Sequence, residues 1–178
     1  GYSMRHFPQS IDISTVGGWV ATRAAGQFST RYGCIEDVLL AVEAVLPDGT
    51  VVQTGYGPRA AAGPDLRHLF LGAEGTHGIV TEVTMRLVPL PEKQVLQSYG
   101  FESMHDGLEA IRLIVRQGWR PPVVRLYDAM ETARLFPDVS TGSNHALILV
   151  SEGPQALADV EGAACDAICT AGGGTPLG

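Results

Sequence analysis

One lysine, Lys93, stands beside eleven arginines, and nineteen acidic residues leave a net charge of −7. A chain this poor in basic side chains lacks the positive stripe that nucleic acids require, which excludes them as partners. Long apolar runs are missing too, and no stretch approaches the roughly twenty residues of a membrane span. Cysteine is scarce: Cys34 stands alone, and Cys165 and Cys169 lie four apart on an expected helix. An odd number of thiols argues for a reducing compartment and against a disulfide framework. Histidine is equally thin, with His6, His68, His77, His105 and His145 scattered along the chain, so no metal site is expected. There is no Walker sequence. Arginine in place of lysine points to a GC-rich bacterial genome.

What the chain has in quantity is glycine, 22 residues of 178. Two clusters carry the information. Ser14-Thr15-Val16-Gly17-Gly18-Trp19-Val20-Ala21-Thr22-Arg23-Ala24-Ala25-Gly26 mixes small residues, hydroxyls and one guanidinium. Glycine has no Cβ to hold a ligand away from the backbone, so such a segment permits close approach. Read alone, it is more often a small-residue loop and helix start packed on a sheet. The second cluster, Gly72-Ala73-Glu74-Gly75-Thr76-His77-Gly78, shifts that balance. It follows a helical signal at Leu66, Leu69 and Phe70 opened by Gly63-Pro64, and precedes an alternating strand from Ile79 to Val88. Helix, loop, strand is the reverse of a Rossmann fingerprint, and the G-x-G-x-x-G spacing is absent. Consecutive amides in this loop would still form a nest for a phosphate or a flavin edge.

The organisation divides near Pro89-Leu90-Pro91, giving segments 1–91 and 92–178. In the first, Asp37 to Leu46 reads as a buried strand, Pro47-Asp48-Gly49-Thr50 as a turn, and Val51 to Thr54 as its hairpin partner. Gly55 to Gly63 reads as a loop. In the second, strands are expected at Val95–Phe101, Val123–Leu126 and Ala146–Val150. Ser103 with Asp106 and Asp128 with Glu131 mark two helix starts, and Pro154 a third. Leu108, Ile111 and Val115 are expected to share one helical face, and Leu157, Val160, Ala164 and Ile168 another. The fold class is α+β.

The run Gln9-Ser10-Ile11-Asp12-Ile13-Ser14-Thr15-Val16-Gly17-Gly18-Trp19, then Thr22-Arg23-Ala24-Ala25-Gly26, Tyr32-Gly33 and Ile35-Glu36-Asp37, resembles the FAD-binding domain of the vanillyl-alcohol oxidase superfamily. Within it the likeness is to the alkyldihydroxyacetonephosphate synthase branch. Gly57-Pro58-Arg59, Gly63-Pro64-Asp65 and Glu74-Gly75-Thr76-His77-Gly78-Ile79-Val80 continue it in order, and Pro122-Val123-Val124-Arg125-Leu126-Tyr127-Asp128 carries it into a cap domain. The resemblance implies the second α/β subdomain of the FAD-binding domain followed by part of a ferredoxin-like cap, cut off before its sheet is complete. It also implies an interior piece of a longer enzyme, whose pyrophosphate loop lies upstream and whose tyrosine and histidine cluster lies downstream, so the piece alone would be inactive and would not hold FAD tightly.

The resemblance further implies FAD contacts from three places: Gln9, Ser10, Ile11, Asp12, Ile13, Ser14 and Thr15 with Gly17 and Gly18; Thr22, Arg23, Ala24 and Ala25; and Glu74, Gly75, Thr76, His77, Gly78, Ile79 and Val80. Gln9 replaces an acid and His77 a leucine that the family more often carries. Arg23 would either meet a carboxylate or steady the reduced ring, and His77 would either touch the adenine side or stay an exposed loop residue. Arg125, by strand pattern a solvated-face residue, is implied to face the flavin from the cap, where its fork would suit a phosphate or carboxylate. The implied reaction is exchange of an acyl for an alkyl group on acyl-dihydroxyacetone phosphate, in ether lipid synthesis. The alternatives are an FAD-linked dehydrogenase of a 2-hydroxy acid such as lactate or glycolate, and a non-catalytic nucleotide-binding module. The implied partners are a small lipid or hydroxy-acid substrate, in a bacterial cytoplasm, with a peripheral membrane contact and a homodimer left open.

Overall fold

Two short polar signals and a run of glycines decide where the first helices lie. A computed structural model describes residues 1–55, 57 and 61–178, so Pro58 and Arg59 of the expected Gly57-Pro58-Arg59 motif, and part of the Gly55–Gly63 loop, lie outside the described residues. The chain divides into two units, Gly1–Leu90 and Pro91–Gly178.

In the first unit, β1 (Tyr2–Ser3) is followed by helix α1 (Val16–Thr22), whose N-cap Thr15 accepts the Gly18 N–H through its hydroxyl at 3.1 Å. A hydroxyl at this position satisfies a donor that the first turn cannot. Two single-turn helices follow, α2 (Ser29–Tyr32) and α3 (Ile35–Val38). Then come β2 (Leu39–Val45), β3 (Val51–Gln53), a 3-10 turn at Leu66–Leu69, β4 (Ile79–Met85) and β5 (Val88–Pro89). The sheet runs β3-β2-β4, antiparallel throughout, while β5 pairs with β1. The core is Trp19, Val20, Ile35, Val38, Leu39, Val42, Ala44, Phe70 and Leu71.

Two boundaries differ from the sequence pattern. The strand expected from Asp37 begins at Leu39, because the Asp37 carboxylate accepts the Cys34 N–H at 2.8 Å and caps a helical turn before it. The strand expected through Val88 breaks after Met85. There the Arg86 N–H donates to Val38 O and its guanidinium to Tyr32 O, each at 2.8 Å, drawing the chain toward α3 and α2.

The second unit runs β6 (Lys93–Phe101), α4 (Met104–Arg116), β7 (Val123–Tyr127), α5 (Ala129–Leu135), β8 (His145–Gly153), α6 (Gln155–Ala171) and β9 (Thr175–Pro176). Strand order is β7-β8-β6-β9, all antiparallel, which with α4 and α6 as crossovers is the ferredoxin-like split βαβ arrangement. The sheet has its fourth strand, two residues long, where an incomplete sheet was expected. Ser103 and Asp128 cap α4 and α5 by accepting the N–H groups of Asp106 (3.1 Å) and Glu131 (2.8 Å).

Both long helices bury a stripe shifted from the expected one, of which Ile111 and Ile168 still pack against the core. Helix α4 turns Gly107, Ala110 and Ile114 inward, and α6 turns Ala158, Glu161, Gly162, Cys165 and Cys169 inward. Leu108 is 53 % exposed and Val160 57 %, and Val115 and Leu157 are exposed as well. Small residues win the inner face because the helices lie close to the sheet. A Cβ on Gly107 would stand 2.8 Å from Leu126, and one on Gly162 3.0 Å from Val95. Leu147, Leu149, Tyr99 and Phe101 complete this core. The two sulfurs within it are fully buried, and burial, followed by the neighbouring Cys165 and Asp166, pushes the Cys169 thiol up to about 12.

The opposite sheet face carries Val123, Arg125 and Tyr127 of β7, with Ile148 of β8 opposite Arg125. Among the described residues, no helix is long and apolar enough to cross a membrane. The buried stripe predicts that Ile114→Ala lowers the urea-unfolding free energy of the chain by about 2–5 kcal/mol. Leu108→Ala, one helical face away, changes it by less than about 0.5 kcal/mol.

Candidate functional site

The two glycine clusters meet in space. Helix α1 ends at Thr22, and Arg23 after it takes a left-handed conformation (φ 53°, ψ 50°). A helix end leaves carbonyls without intrahelical partners. Val20 O accepts the Gly72 N–H at 2.9 Å and Ala21 O accepts the Glu74 N–H at 3.1 Å. The second loop is thus hydrogen-bonded onto the end of the helix built by the first. To make that contact the loop takes positive φ at Gly72 (71°), Glu74 (46°), Gly75 (84°) and Gly78 (151°). At Gly78 the requirement is absolute, since a Cβ there would stand 2.7 Å from Val45 O as β4 enters the sheet.

Between loop and helix lies an open crevice of about 280 Å³, lined by Thr15, Gly17, Gly18, Ala21, Phe70, Gly75, Gly78, Ile79 and Val80. Seven of these were anticipated from sequence, in both clusters. A Cβ on Gly17 or on Gly75 would meet no atom within 4 Å, so both positions face open volume. Ile79 lines it while 71 % exposed. Exposed apolar surface beside bare backbone is the lining that a flat aromatic ligand would cover. Ala21 and Phe70 were missed. Ala21 follows Gly17 and Gly18 at helical spacing, which was a usable signal; Phe70 reads from sequence only as core.

Other anticipated residues lie outside the lining. Gln9 to Ile13 form exposed turns closed by Ile11 N–H to Pro8 O and Ile13 N–H to Ser10 O, both 3.0 Å. Ser14 accepts the Trp19 indole N–H at 2.7 Å and donates to Ser10 O at 2.6 Å. Thr22 donates to Gly18 O at 2.8 Å, and Thr76 to Ala73 O at 2.6 Å. These hydroxyl hydrogens are spent within the protein. The Ala24 N–H returns to Trp19 O, Ala25 is exposed, and Arg23 lies against Gly72. His77 is exposed, 3.4 Å from the Thr76 hydroxyl. The expected amide nest is partly consumed, because Gly72, Glu74 and Thr76 donate to carbonyls. Among the described residues, the N–H groups of Gly75 and His77 enter no backbone hydrogen bond.

In the second unit Arg125 sits at mid-strand on the sheet face away from α4 and α6, its guanidinium 5.5 Å from the centre of the Tyr127 ring. Tyr127 in turn meets Phe136 edge to face at 5.2 Å. This holds the cation on an aromatic support at partial exposure, a setting in which it can still meet an anion.

Comparison with known proteins agrees with this geometry. Residues 1–55 match the family model described as FAD binding domain. The chain is 44 % identical over 163 residues to the uncharacterized FAD-linked oxidoreductase YgcU of Escherichia coli K12, covering 91 % of this chain and 34 % of that one. It is 39 % identical over 128 residues to alkyldihydroxyacetonephosphate synthase of Caenorhabditis elegans, covering 72 % and 21 %. A solved structure of an alkyldihydroxyacetonephosphate synthase superposes with a TM-score of 0.85 at 29 % identity, over 100 % of this chain and 36 % of that one. The chain therefore spans about a third or less of the length of these relatives.

Beneath Trp19 lies His6, 2 % exposed, its ring 5.3 Å from the indole and, among the described residues, with no hydrogen-bond partner at either nitrogen. Burial lowers its pKa, and Glu36 opposes that shift only in part. A depressed histidine binds its proton more weakly folded than unfolded, so its effect on stability is absent above the ordinary value of about 6.5. As pH falls below that value toward the folded-state pKa, stability is lost. His6→Phe removes this loss: the gap in urea midpoint between variant and parent widens in the variant's favour from about pH 7.5 to about pH 5.

Proposed function

We propose that the chain, whose residues 1–55 match the family model described as FAD binding domain, supplies the flavin-side crevice and part of the substrate-side cover of an FAD-dependent enzyme. The observation that carries the proposal is the shared crevice, to which two motifs some fifty residues apart each contribute bare backbone. The lining fits FAD: Gly17 and Gly75 leave room for a ring at van der Waals distance, and the Gly75 and His77 amides remain as donors to its polar edge. When bound, FAD supplies the electron-accepting ring, while the protein contributes position, exclusion of water and local field. Thr15, Gly17 and Gly18 form one wall, and Gly75, Gly78, Ile79 and Val80 the other.

For the substrate, we favour an anionic compound held by Arg125, in a reaction of the alkyldihydroxyacetonephosphate synthase type. There a fatty alcohol replaces the fatty acid of acyl-dihydroxyacetone phosphate without net redox change. A permanently charged planar fork suits the phosphate in two-point contact. A second reading is an FAD-linked oxidoreductase, favoured by 44 % identity to YgcU over most of this chain, with a 2-hydroxy acid as substrate supported by 31 % identity to the glycolate oxidase subunit GlcD of Bacillus subtilis. Arg125 would then meet a carboxylate.

In the full-length protein, Arg125→Ala is expected to leave the flavin absorbance of the purified enzyme unchanged while turnover falls by about tenfold or more, as for loss of one charge-assisted contact. Loss of flavin together with turnover, in a folded variant, would remove Arg125 from the substrate side. Turnover with acyl-dihydroxyacetone phosphate and a fatty alcohol supports the transferase reading, and reduction of an electron acceptor by lactate or glycolate the oxidoreductase one. A folded full-length protein with no flavin absorbance refutes both.

A further inference from the structure

The residue after a helix that turns left-handed is usually glycine, because any Cβ there is strained. After α1 it is Arg23. Its N–H reaches back to Val20 O, and the Ala24 N–H to Trp19 O at 2.9 Å, the closing pattern of a Schellman turn. Helix termination alone would be served better by glycine. The side chain shows what the arginine adds. Its Nε–H donates to Leu71 O at 3.3 Å, and its Cγ, Cδ and Nε lie 2.9–3.1 Å from where a Cβ on Gly72 would be. Gly72 itself has φ of 71°, so only a glycine there both makes the turn and leaves a surface on which the arginine stem can lie.

We propose that Arg23 is a positioning residue, a latch from the end of α1 onto the Leu71–Gly72 turn that fixes the separation of the two crevice walls. The inference rests on the flavoenzyme reading above only for the identity of what the crevice holds. Three hydrogen bonds tie turn to helix: Gly72 N–H to Val20 O, Glu74 N–H to Ala21 O, and Arg23 Nε–H to Leu71 O. The first two are backbone bonds that do not involve the Arg23 side chain. The third is peculiar to arginine, and it joins Leu71, four residues before Gly75 on one wall, to Arg23, two after Ala21 on the other. Arg23 acts through the loop and not by touching the cofactor.

Arg23→Gly separates this role from plain helix capping, because it relieves the left-handed strain while deleting the latch. In the full-length protein, free of flavin, the variant is expected to keep or raise its thermal midpoint. Amide exchange at Gly72 and Glu74 should nevertheless accelerate about fivefold, the equivalent of one ordinary hydrogen bond, and FAD affinity measured by quenching of Trp19 emission should fall by a similar factor. Unchanged exchange at Gly72 and Glu74 overturns the proposal. Weaker FAD binding with unchanged exchange overturns it too, and makes Arg23 a direct contact. If the parent protein takes up no FAD, the flavoenzyme reading fails, and the exchange rates still decide whether the latch exists.

Discussion

The site depends on two peptide carbonyls. At the end of α1, Val20 O, which also takes the Arg23 N–H, and Ala21 O accept amides of a loop more than fifty residues further along the chain. A buried carbonyl without a partner costs about 1–3 kcal/mol, more than a satisfied hydrogen bond contributes on balance. Helix end and loop therefore each need the other. The backbone conformation of the loop follows from this docking: four positive φ angles between Gly72 and Gly78 bring two amides to the helix and still deliver β4 into the sheet beside Val45. Three of the four are glycines and carry no strain, whereas Glu74 is strained, and strain there persists only where the surroundings over-determine it.

The same docking decides what the site offers a ligand. Amides bonded to α1 are no longer available to a phosphate, and the hydroxyls of Ser14, Thr22 and Thr76 are bonded within the protein. What remains is shape: absent side chains at Gly17 and Gly75, the apolar Ile79 and Val80, and a few unspent amides. Such a surface has little chemistry of its own. It suits a cofactor that brings the reactive group with it.

Local signals in the sequence translated well into structure. The caps at Ser103 and Asp128 need only a side chain and an amide three residues on, so they were legible, as were the hairpin at Pro47–Thr50 and the glycine clusters. Distant partners were not. The break after Met85 comes from Arg86 reaching Val38 and Tyr32, and the late start of β2 from a cap on Cys34. The inner faces of α4 and α6 were misread because hydrophobicity favoured Leu108 and Val160, whereas close approach to the sheet favoured Gly107 and Gly162. In the crevice, both motifs and seven of the nine lining residues were legible, and Ala21 and Phe70 were not. The hydroxyls of Ser14 and Thr22 donate to internal acceptors that only the folded chain brings into view, and Phe70 is marked as a wall only by the folded chain.

Helix α6 has a chemical consequence of its own. Cys165 and Cys169 behave there as compact apolar side chains, and with the Cys169 thiol pushed up to about 12 almost no thiolate exists at neutral pH. Alkylating reagents, peroxide and exchange with glutathione all act on the thiolate. The two thiols of the second unit, both fully buried, are therefore shielded from such reagents.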